Sequence, residues 1–261
     1  MRLLICSIVA TLVVAPAFAA TPASPLDDPS LTGNSRYDRC LSQVKRNPSL
    51  AYSQAGAWEG TGGGAAATHC QALALVALHR YGEAATKLDS LGRSAQADAV
   101  MRATLLDQAG NAWLLAKSAG SAETSFSAAL TLSPRDADIL VDRARARALA
   151  RNWIGANADL TAAIAIDPNS PELYVLRSSA RHALGQKGQA RADIDQALNM
   201  RPGYAEALVE RGALKQEAGD GIGAKADWQQ VVSSSPGSDA AVAARAYLQG
   251  TQAPAKPSIA H

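Results

Sequence analysis

The chain has 261 residues and a formal net charge of +2, with 25 Lys and Arg residues against 23 Asp and Glu residues. This balance provides no general attraction to nucleic acid or to anionic membrane surfaces, so we expect neither as a partner. After the first 20 residues, no stretch is long and apolar enough to span a bilayer, so we expect no integral membrane segment in the mature chain.

The N-terminus has the pattern of a secretory signal peptide, which we predict over residues 1–20. A single cation, Arg2, precedes an uncharged and mostly apolar stretch over 3–15, and an Ala-Phe-Ala cleavage motif follows at 17–19. We therefore expect an exported protein, located in the periplasm of a Gram-negative bacterium or otherwise outside the cytoplasm. Residues 21–36 are rich in Pro, Ser and Asp and are predicted to form a flexible leader.

Two cysteines, Cys40 and Cys70, remain after signal cleavage. An even pair in an exported protein predicts a disulfide, and a bridge that closes a loop of about 30 residues stabilises the fold by about 3–4 kcal/mol. The alternative is a thiol redox enzyme or regulator that uses this pair, although no Cys-x-x-Cys motif is present. His69 and His79 lack the paired short spacings of zinc ligands, so we expect no metal site and no cofactor.

Residues 37–64 are predicted to form a helical cap of two short helices, 37–45 and 50–58, separated at Asn47-Pro48. The glycines at 60–64 end the second helix. They do not form a phosphate-binding loop, because no strand precedes them and no Lys-Ser/Thr follows.

Two further helices are predicted at 65–78 and from Tyr81 to about Leu91, and residues 94–118 are predicted to form one long helix. A last helix begins at Ser238 or Asp239 and ends before Gly250.

A 34-residue period dominates the remainder of the chain, and such a period indicates a repeat architecture. It defines four units, 103–136, 137–170, 171–204 and 205–238. Unit position 32 is proline throughout, at Pro134, Pro168, Pro202 and Pro236. Small residues occupy position 8 (Gly110, Ala144, Ser178, Gly212) and position 20 (Ala122, Ala156, Ala190, Ala224). Position 24 is large and apolar (Phe126, Leu160, Ile194, Trp228), and position 27 is Ala or Val.

This pattern closely resembles the tetratricopeptide repeat (TPR) family. The resemblance implies an all-α fold, a right-handed TPR-type superhelical solenoid of antiparallel helix pairs. It extends to a degenerate repeat at 65–102 that lacks the closing proline, with 37–64 as an N-terminal cap. Residues 239–250 would form the C-terminal capping helix and 251–261 a disordered tail.

In this family the concave face is built from positions 2, 5, 9, 12 and 13 of each first helix. The resemblance therefore implies the following candidate binding residues: Asp107, Asn111, Asp138, Val141, Arg145, Glu172, Val175, Ser179, His182, Glu206, Val209 and Gln216. Acids in the first helical turn favour the helix dipole, and they could also attract a basic segment. The carboxylate clamp of chaperone-binding members is not expected, because Asp107 stands where a lysine is needed.

Two charged positions vary together from unit to unit. Position 7 is arginine and position 23 is aspartate in the second, third and fourth units, whereas the first unit has Ala109 and Ser125. We interpret them as ion pairs that join the two helices of a unit, or neighbouring units, rather than as a binding stripe. Position 11 is Trp113 in the first unit and a cation in the other three, which disfavours an aromatic groove in the C-terminal half.

These observations predict a non-catalytic scaffold that binds a protein or a peptide. No arrangement typical of a nucleophile with its base, a carboxylate pair or a glycine fingerprint stands out, so we expect no enzyme. Trp58, Trp113, Trp153 and Trp228 are predicted to be packing residues. A passive structural or assembly subunit without a discrete ligand remains the third alternative.

Overall fold

The structure, a computed structural model, describes residues 36–94 and 98–250. The predicted signal peptide, residues 21–35 of the leader and the tail lie outside these ranges. The described chain contains thirteen α-helices: α1 (Arg36–Arg46), α2 (Pro48–Glu59), α3 (Gly64–Ala77), α4 (Tyr81–Arg93), α5 (Ala99–Leu115), α6 (Ala119–Leu132), α7 (Ala137–Leu149), α8 (Trp153–Ile166), α9 (Pro171–Ala183), α10 (Lys187–Met200), α11 (Ala205–Glu217), α12 (Gly221–Ser234) and α13 (Asp239–Leu248).

Local capping sets several helix starts. Asn47 accepts a hydrogen bond from the Leu50 N–H, and Pro48 occupies the first helical position of α2. The predicted long helix over 94–118 is wrong at its start. Helix α5 begins at Ala99, because Asp98 caps it by accepting from the Met101 N–H. The Ser238 hydroxyl caps α13 by accepting a hydrogen bond from the Ala241 N–H. Of the two predicted starts, Ser238 and Asp239, Ser238 is therefore the cap.

The periodic prolines lie just beyond second helices, as the sequence pattern predicts. Helices α6, α8, α10 and α12 end at Leu132, Ile166, Met200 and Ser234, each two residues before a proline. Because proline lacks an N–H and its ring clashes with the preceding turn, the helix cannot continue through it.

The turn between the two helices of each unit uses one backbone conformation in five successive pairs. The residue after the C-cap of the first helix has a positive φ of 57° to 87° at His79, Lys117, Arg151, Gly185 and Gly219. The following N–H then bonds back to a carbonyl five residues earlier, for example from Asn152 to Arg147 at 2.7 Å. This is the Schellman arrangement, which satisfies the last carbonyls of the first helix.

The small and large positions of the repeat meet inside each helix pair. Phe126, Leu160 and Ile194 are fully buried, and Trp228 is 4% exposed. Small residues opposite them allow the helices to approach closely: a Cβ added at Gly110 would overlap the Phe126 ring. The four tryptophans pack as predicted, with Trp58 and Trp228 buried and the other two against the core.

Helices of neighbouring units are closer on one side of the stack than on the other. The first helices α5 and α7, α9 and α11, and α11 and α13 contact one another directly. Within the described residues, successive second helices are not in comparably close contact. The stack therefore curves with its first helices on the inner side.

At the N-terminal end, α1 packs against both α2 and α3, and the Cys40–Cys70 disulfide joins α1 to α3. Cys40 is 7% exposed and Cys70 is fully buried. Tyr37, Trp58 and Ala67 surround the pair in a small apolar cluster. None of the helices within 36–94 and 98–250 combines the length and the apolar character needed to cross a membrane.

Candidate protein-binding surface

The inner side of α3, α5, α7, α9 and α11 forms one continuous surface, which we call the first-helix face. Of the predicted binding residues on it, Asp138, Glu172, Glu206 and Gln216 are exposed. Asp107, Asn111, Arg145, Ser179, His182 and Val209 are partly buried. Val141 and Val175 are 8% and 2% exposed and therefore pack beneath the surface. Which of these residues contact a partner stays a prediction.

A chain of polar contacts runs across α5, α7 and α9. Asn111 donates from Nδ2 to Asp142 Oδ2 at 2.9 Å, and Arg145 donates to Asp142 Oδ1 at 2.8 Å. Arg145 also donates to Glu172 Oε1 at 3.1 Å. Sequence reasoning missed Asp142, although its spacing of three residues from Arg145 on one helix is a signal for such a pair.

Asp107 is an acid of this chain of contacts for which no cation among the described residues provides a counter-charge. Burial, followed by the negative charges of Asp142, Asp136 and Asp138, raises the pKa of Asp107 to about 7. The Asn111 amide opposes this shift, at 3.4 Å from Asp107 Oδ2. Asp107 Oδ1 has no hydrogen-bond partner within the described ranges. The site therefore favours either a proton or a cation at this carboxylate.

A second cluster lies on α9 and α11. His182 contacts Glu210 Oε1 through Nδ1 at 3.0 Å and Glu217 Oε1 through Nε2 at 2.7 Å. The hydrogen bond to Glu210, followed by the charges of both glutamates, raises the pKa of His182 to about 9. Lys187 pairs with the other oxygen of Glu217 at 2.7 Å. The two glutamates were not among the predicted residues, because only helix packing brings them to one imidazole.

His69 continues the polar line toward the N-terminal end. Its Nδ1 lies 2.5 Å from the Tyr37 hydroxyl, and its Nε2 lies 2.8 Å from Gln108 Oε1. Burial lowers the pKa of His69, against the opposing effect of Gln108. Its neighbour Cys70 is held in the disulfide with Cys40. Throughout the described residues, no group of three His, Cys, Asp or Glu side chains is placed to hold a metal ion.

The co-varying arginines and aspartates form ion pairs inside each unit, as predicted. Each arginine at position 7 is bidentate to the aspartate 16 residues later: Arg143 to Asp159, Arg177 to Asp193 and Arg211 to Asp227, with shortest distances of 2.7 Å. The aspartate side chains are only 5% exposed.

The cations at position 11 belong to the same pairs. Arg147, Arg181 and Lys215 each reach the second oxygen of the same aspartate at 2.7–2.8 Å. In the first unit, Trp113 and Ser125 both donate instead to Asp89 of α4. Position 11 therefore contributes to packing between helices. A cation at this position has a structural role and gives no information about the binding groove.

Comparisons with known proteins place the fold among TPR structures. No protein-family model matches the chain, and no curated protein matches it. MamA, residues 41 to the end, from Desulfovibrio magneticus RS-1 superposes with a TM-score of 0.58 at 18% identity, covering 67% of this chain and 97% of that one. YrrB, described as a TPR protein with an unusual peptide-binding site, superposes at 0.54 and 19% identity, covering 75% and 97%. TTC0263, a thermophilic TPR protein in Thermus thermophilus, superposes at 0.54 and 20% identity, covering 68% and 95%.

Proposed function

Because the described chain folds as a tetratricopeptide-repeat solenoid, we propose that it is a non-catalytic scaffold that holds a basic, extended segment of another protein along its first-helix face. The excess of acids on that face carries the proposal. Seven acids lie there, whereas Arg145, His182 and Lys187 are the cations described above as contacting them: Asp107, Asp138, Asp142, Glu172, Glu206, Glu210 and Glu217.

Several of these acids are not neutralised by the protein itself. Arg145 is shared between Asp142 and Glu172, so one cation serves two carboxylates. Asp107 has an unpartnered oxygen and a raised pKa. A lysine or arginine side chain of a partner that approaches the Asp107 carboxylate would lower its pKa and displace the proton, without direct contact to the buried Oδ1.

The same face offers apolar contacts beside the charges. Leu115 and Leu149, at the ends of α5 and α7, are 53% and 44% exposed. An extended segment could bury apolar side chains there while its cations meet the acids. Since paired helices hold the surface in place before binding, little conformational entropy of the scaffold is lost.

Export of the chain is the second part of the proposal. It is supported by the signal-peptide pattern over 1–20 and by a buried disulfide, which persists in oxidising compartments. Mass spectrometry of the N-terminus in a periplasmic fraction tests it: we expect the mature chain to start near residue 20 or 21. An unprocessed chain in the cytoplasmic fraction would contradict export.

Calorimetric titration with a Lys- and Arg-rich peptide of about ten residues tests the binding face. We expect the affinity to fall as the pH falls from 8 to 6, because a proton on Asp107 competes with the cation and the pKa of this group is about 7. Asp107→Asn should weaken binding about tenfold at pH 8 and remove most of this pH dependence. A Glu-rich peptide of the same length should bind at least tenfold more weakly.

Asp195→Asn is the matched control, because Asp195 is an exposed acid on the second helix α10. We expect it to change affinity less than twofold. Equal weakening by both variants would indicate general charge attraction and would contradict a site on the first-helix face.

The two alternatives make different predictions. A thiol redox protein would cycle the Cys40–Cys70 pair readily, whereas burial of both cysteines supports a structural bridge. A passive structural subunit would capture its neighbours unchanged after substitution of Glu172 and Glu206, two exposed acids of the first-helix face. We expect the Glu172→Gln, Glu206→Gln double variant to lose its partners in a pull-down while keeping its thermal stability.

A further inference from the structure

A basic cleft lies between α1 and α2, at the N-terminal end of the stack. It has a volume of about 510 Å³, and its lining within 36–94 and 98–250 comes from these two helices: Arg36, Arg39, Cys40, Gln43, Arg46, Gln54, Ala55, Ala57 and Trp58. Of the residues that the structure describes, three arginines and two glutamines border it and no acid does. We call it the N-terminal cleft.

The three arginines form one stripe along α1. They are spaced three and seven residues apart, so they project from the same side of the helix. All three are exposed, and none of them forms an ion pair within the described ranges. The guanidinium of Arg36 lies 5.2 Å from the centre of the Trp58 ring, which orients it at the end of the cleft.

Helix stability does not account for this stripe. A cation in the last turn of a helix interacts favourably with the helix dipole, which explains Lys45 and Arg46. Arg36 and Arg39 lie at the beginning of α1, where the dipole disfavours positive charge. Asp38 is the acid of that first turn, so the stripe of three arginines keeps a net positive charge that an anionic partner can neutralise.

We propose that the N-terminal cleft binds a carboxylate-rich segment of a partner polypeptide. The stripe from Arg36 to Arg46 covers ten residues of helix, or about 15 Å, which is longer than a single phosphate or carboxylate. An extended chain covers that distance in about five residues, and each guanidinium can hold one carboxylate through two parallel hydrogen bonds.

Other anionic ligands fit this surface less well. Bases of single-stranded nucleic acid need exposed aromatic faces on which to stack, and Trp58 is only 7% exposed. The site is independent of the function proposed for the first-helix face, which has the opposite charge. Together the two surfaces would allow the chain to hold one basic and one acidic segment at the same time.

Fluorescence anisotropy with a labelled eight-residue Glu- and Asp-rich peptide tests the proposal on the full mature chain. We expect Arg39→Glu and Arg46→Glu each to weaken binding at least tenfold. Lys45→Glu is the matched control, because it makes the same change of charge on the same helix outside the cleft. We expect it to weaken binding less than threefold, and all three exposed variants to melt within about 3 °C of the wild type, since a charge reversal at a helix end changes stability by about 1 kcal/mol.

Four results would overturn the proposal. The first is no saturable binding of the acidic peptide, and the second is an equal loss of affinity in Lys45→Glu. The third is equally tight binding of inorganic phosphate or of single-stranded DNA. The fourth is occupation by this chain itself: a tenfold gain in peptide affinity when Asp27 and Asp28 are changed to Asn, or concentration-dependent self-association that Arg39→Glu abolishes. In both cases the acidic segment belongs to the chain rather than to a partner.

Discussion

At the scale of single residues, buried carboxylates connect the two helices of a repeat. Asp193 receives two hydrogen bonds from Arg177 and one from Arg181, and its side chain is 5% exposed. A buried acid with three charged donors differs from a surface ion pair, which contributes only about 0–1 kcal/mol. Its removal leaves two neighbouring cations without a counter-charge.

We therefore expect Asp193→Ala to lower the free energy of unfolding by about 3 kcal/mol, because it breaks a buried ion pair. Affinity for a basic peptide should stay within twofold of wild type, since Asp193 is not on the first-helix face. Urea denaturation and calorimetry measure the two effects. Asp195→Ala, on the exposed side of the same helix, should change stability by less than about 0.5 kcal/mol. A loss of affinity at full stability would contradict the structural role.

His182 makes stability depend on pH in the alkaline range. The Glu210 and Glu217 side chains raise the pKa of His182 to about 9, above its ordinary value of 6.5. A group whose pKa is raised by folding stabilises the fold fully below its unfolded pKa, and this contribution is lost as the pH rises through the folded value.

His182→Gln should therefore cost about 1 kcal/mol at pH 6, a value reduced for solvent screening of this partly exposed group. The difference in melting temperature between wild type and variant should shrink between pH 7 and pH 9 and vanish near pH 10. Thermal denaturation followed by circular dichroism over this range measures it. A difference that is constant from pH 6 to pH 10 would show that packing, rather than charge, is responsible.

At the scale of elements, each turn between the paired helices of a repeat contains one residue in the left-handed backbone conformation. In three of the turns this residue is not glycine. His79, Lys117 and Arg151 adopt φ values of 57° to 60°, whereas Gly185 and Gly219 occupy the same place in later units. For a residue with a Cβ, this conformation costs about 1–2 kcal/mol. Glycine avoids that strain but loses more backbone entropy on folding.

Arg151→Gly should stabilise the protein by about 0.5–1 kcal/mol, because relief of strain exceeds the added entropy cost. The Arg151 side chain is exposed, so little packing is lost. The reverse change, Gly185→Ala, should destabilise by about 1 kcal/mol. Urea denaturation of both variants measures the pair. Destabilisation by Arg151→Gly would show that its side chain contributes more than the backbone strain costs.

At the scale of the whole molecule, the N-terminal cap is fastened differently from the repeats. The four regular units and the degenerate one bury large apolar side chains between paired helices. The cap has a smaller cluster around Tyr37 and Trp58 and is joined to α3 by the Cys40–Cys70 bridge. In a linear stack each unit contacts only its neighbours, so an end can open without the rest.

Replacement of both cysteines by serine should lower stability by about 3 kcal/mol, following the loss of a bridge across 30 residues. Because the cap is terminal, we expect hydrogen exchange to accelerate over 36–59 first, with little change in α7 to α12. A reducing agent should reproduce this pattern in the wild type and should not affect the double variant. Uniform acceleration along the chain would contradict a local role.

The packing positions were the most predictable part of the fold, because every repeat has the same type of residue at each of them. The small residue at Gly110, the large one at Phe126 and the proline at Pro134 have equivalents in each unit, so their roles could be predicted without coordinates. The paired arginines and aspartates were also predictable, because both change together in the first unit. The predicted start of α5 at Ser94 was wrong, because Asp98, four residues later, caps the helix.

The repeat length, the helix pairs and the packing positions could be predicted without coordinates, because they depend on local periodicity and on side-chain size. Which charged groups of different units meet became evident only from the packed helices. Glu210 and Glu217 converge on His182, and Asp107 is crowded by acids of the next unit, through the packing of first helices side by side. Distances across units depend on how helices are stacked, and that information is not present in the spacing of residues along one chain.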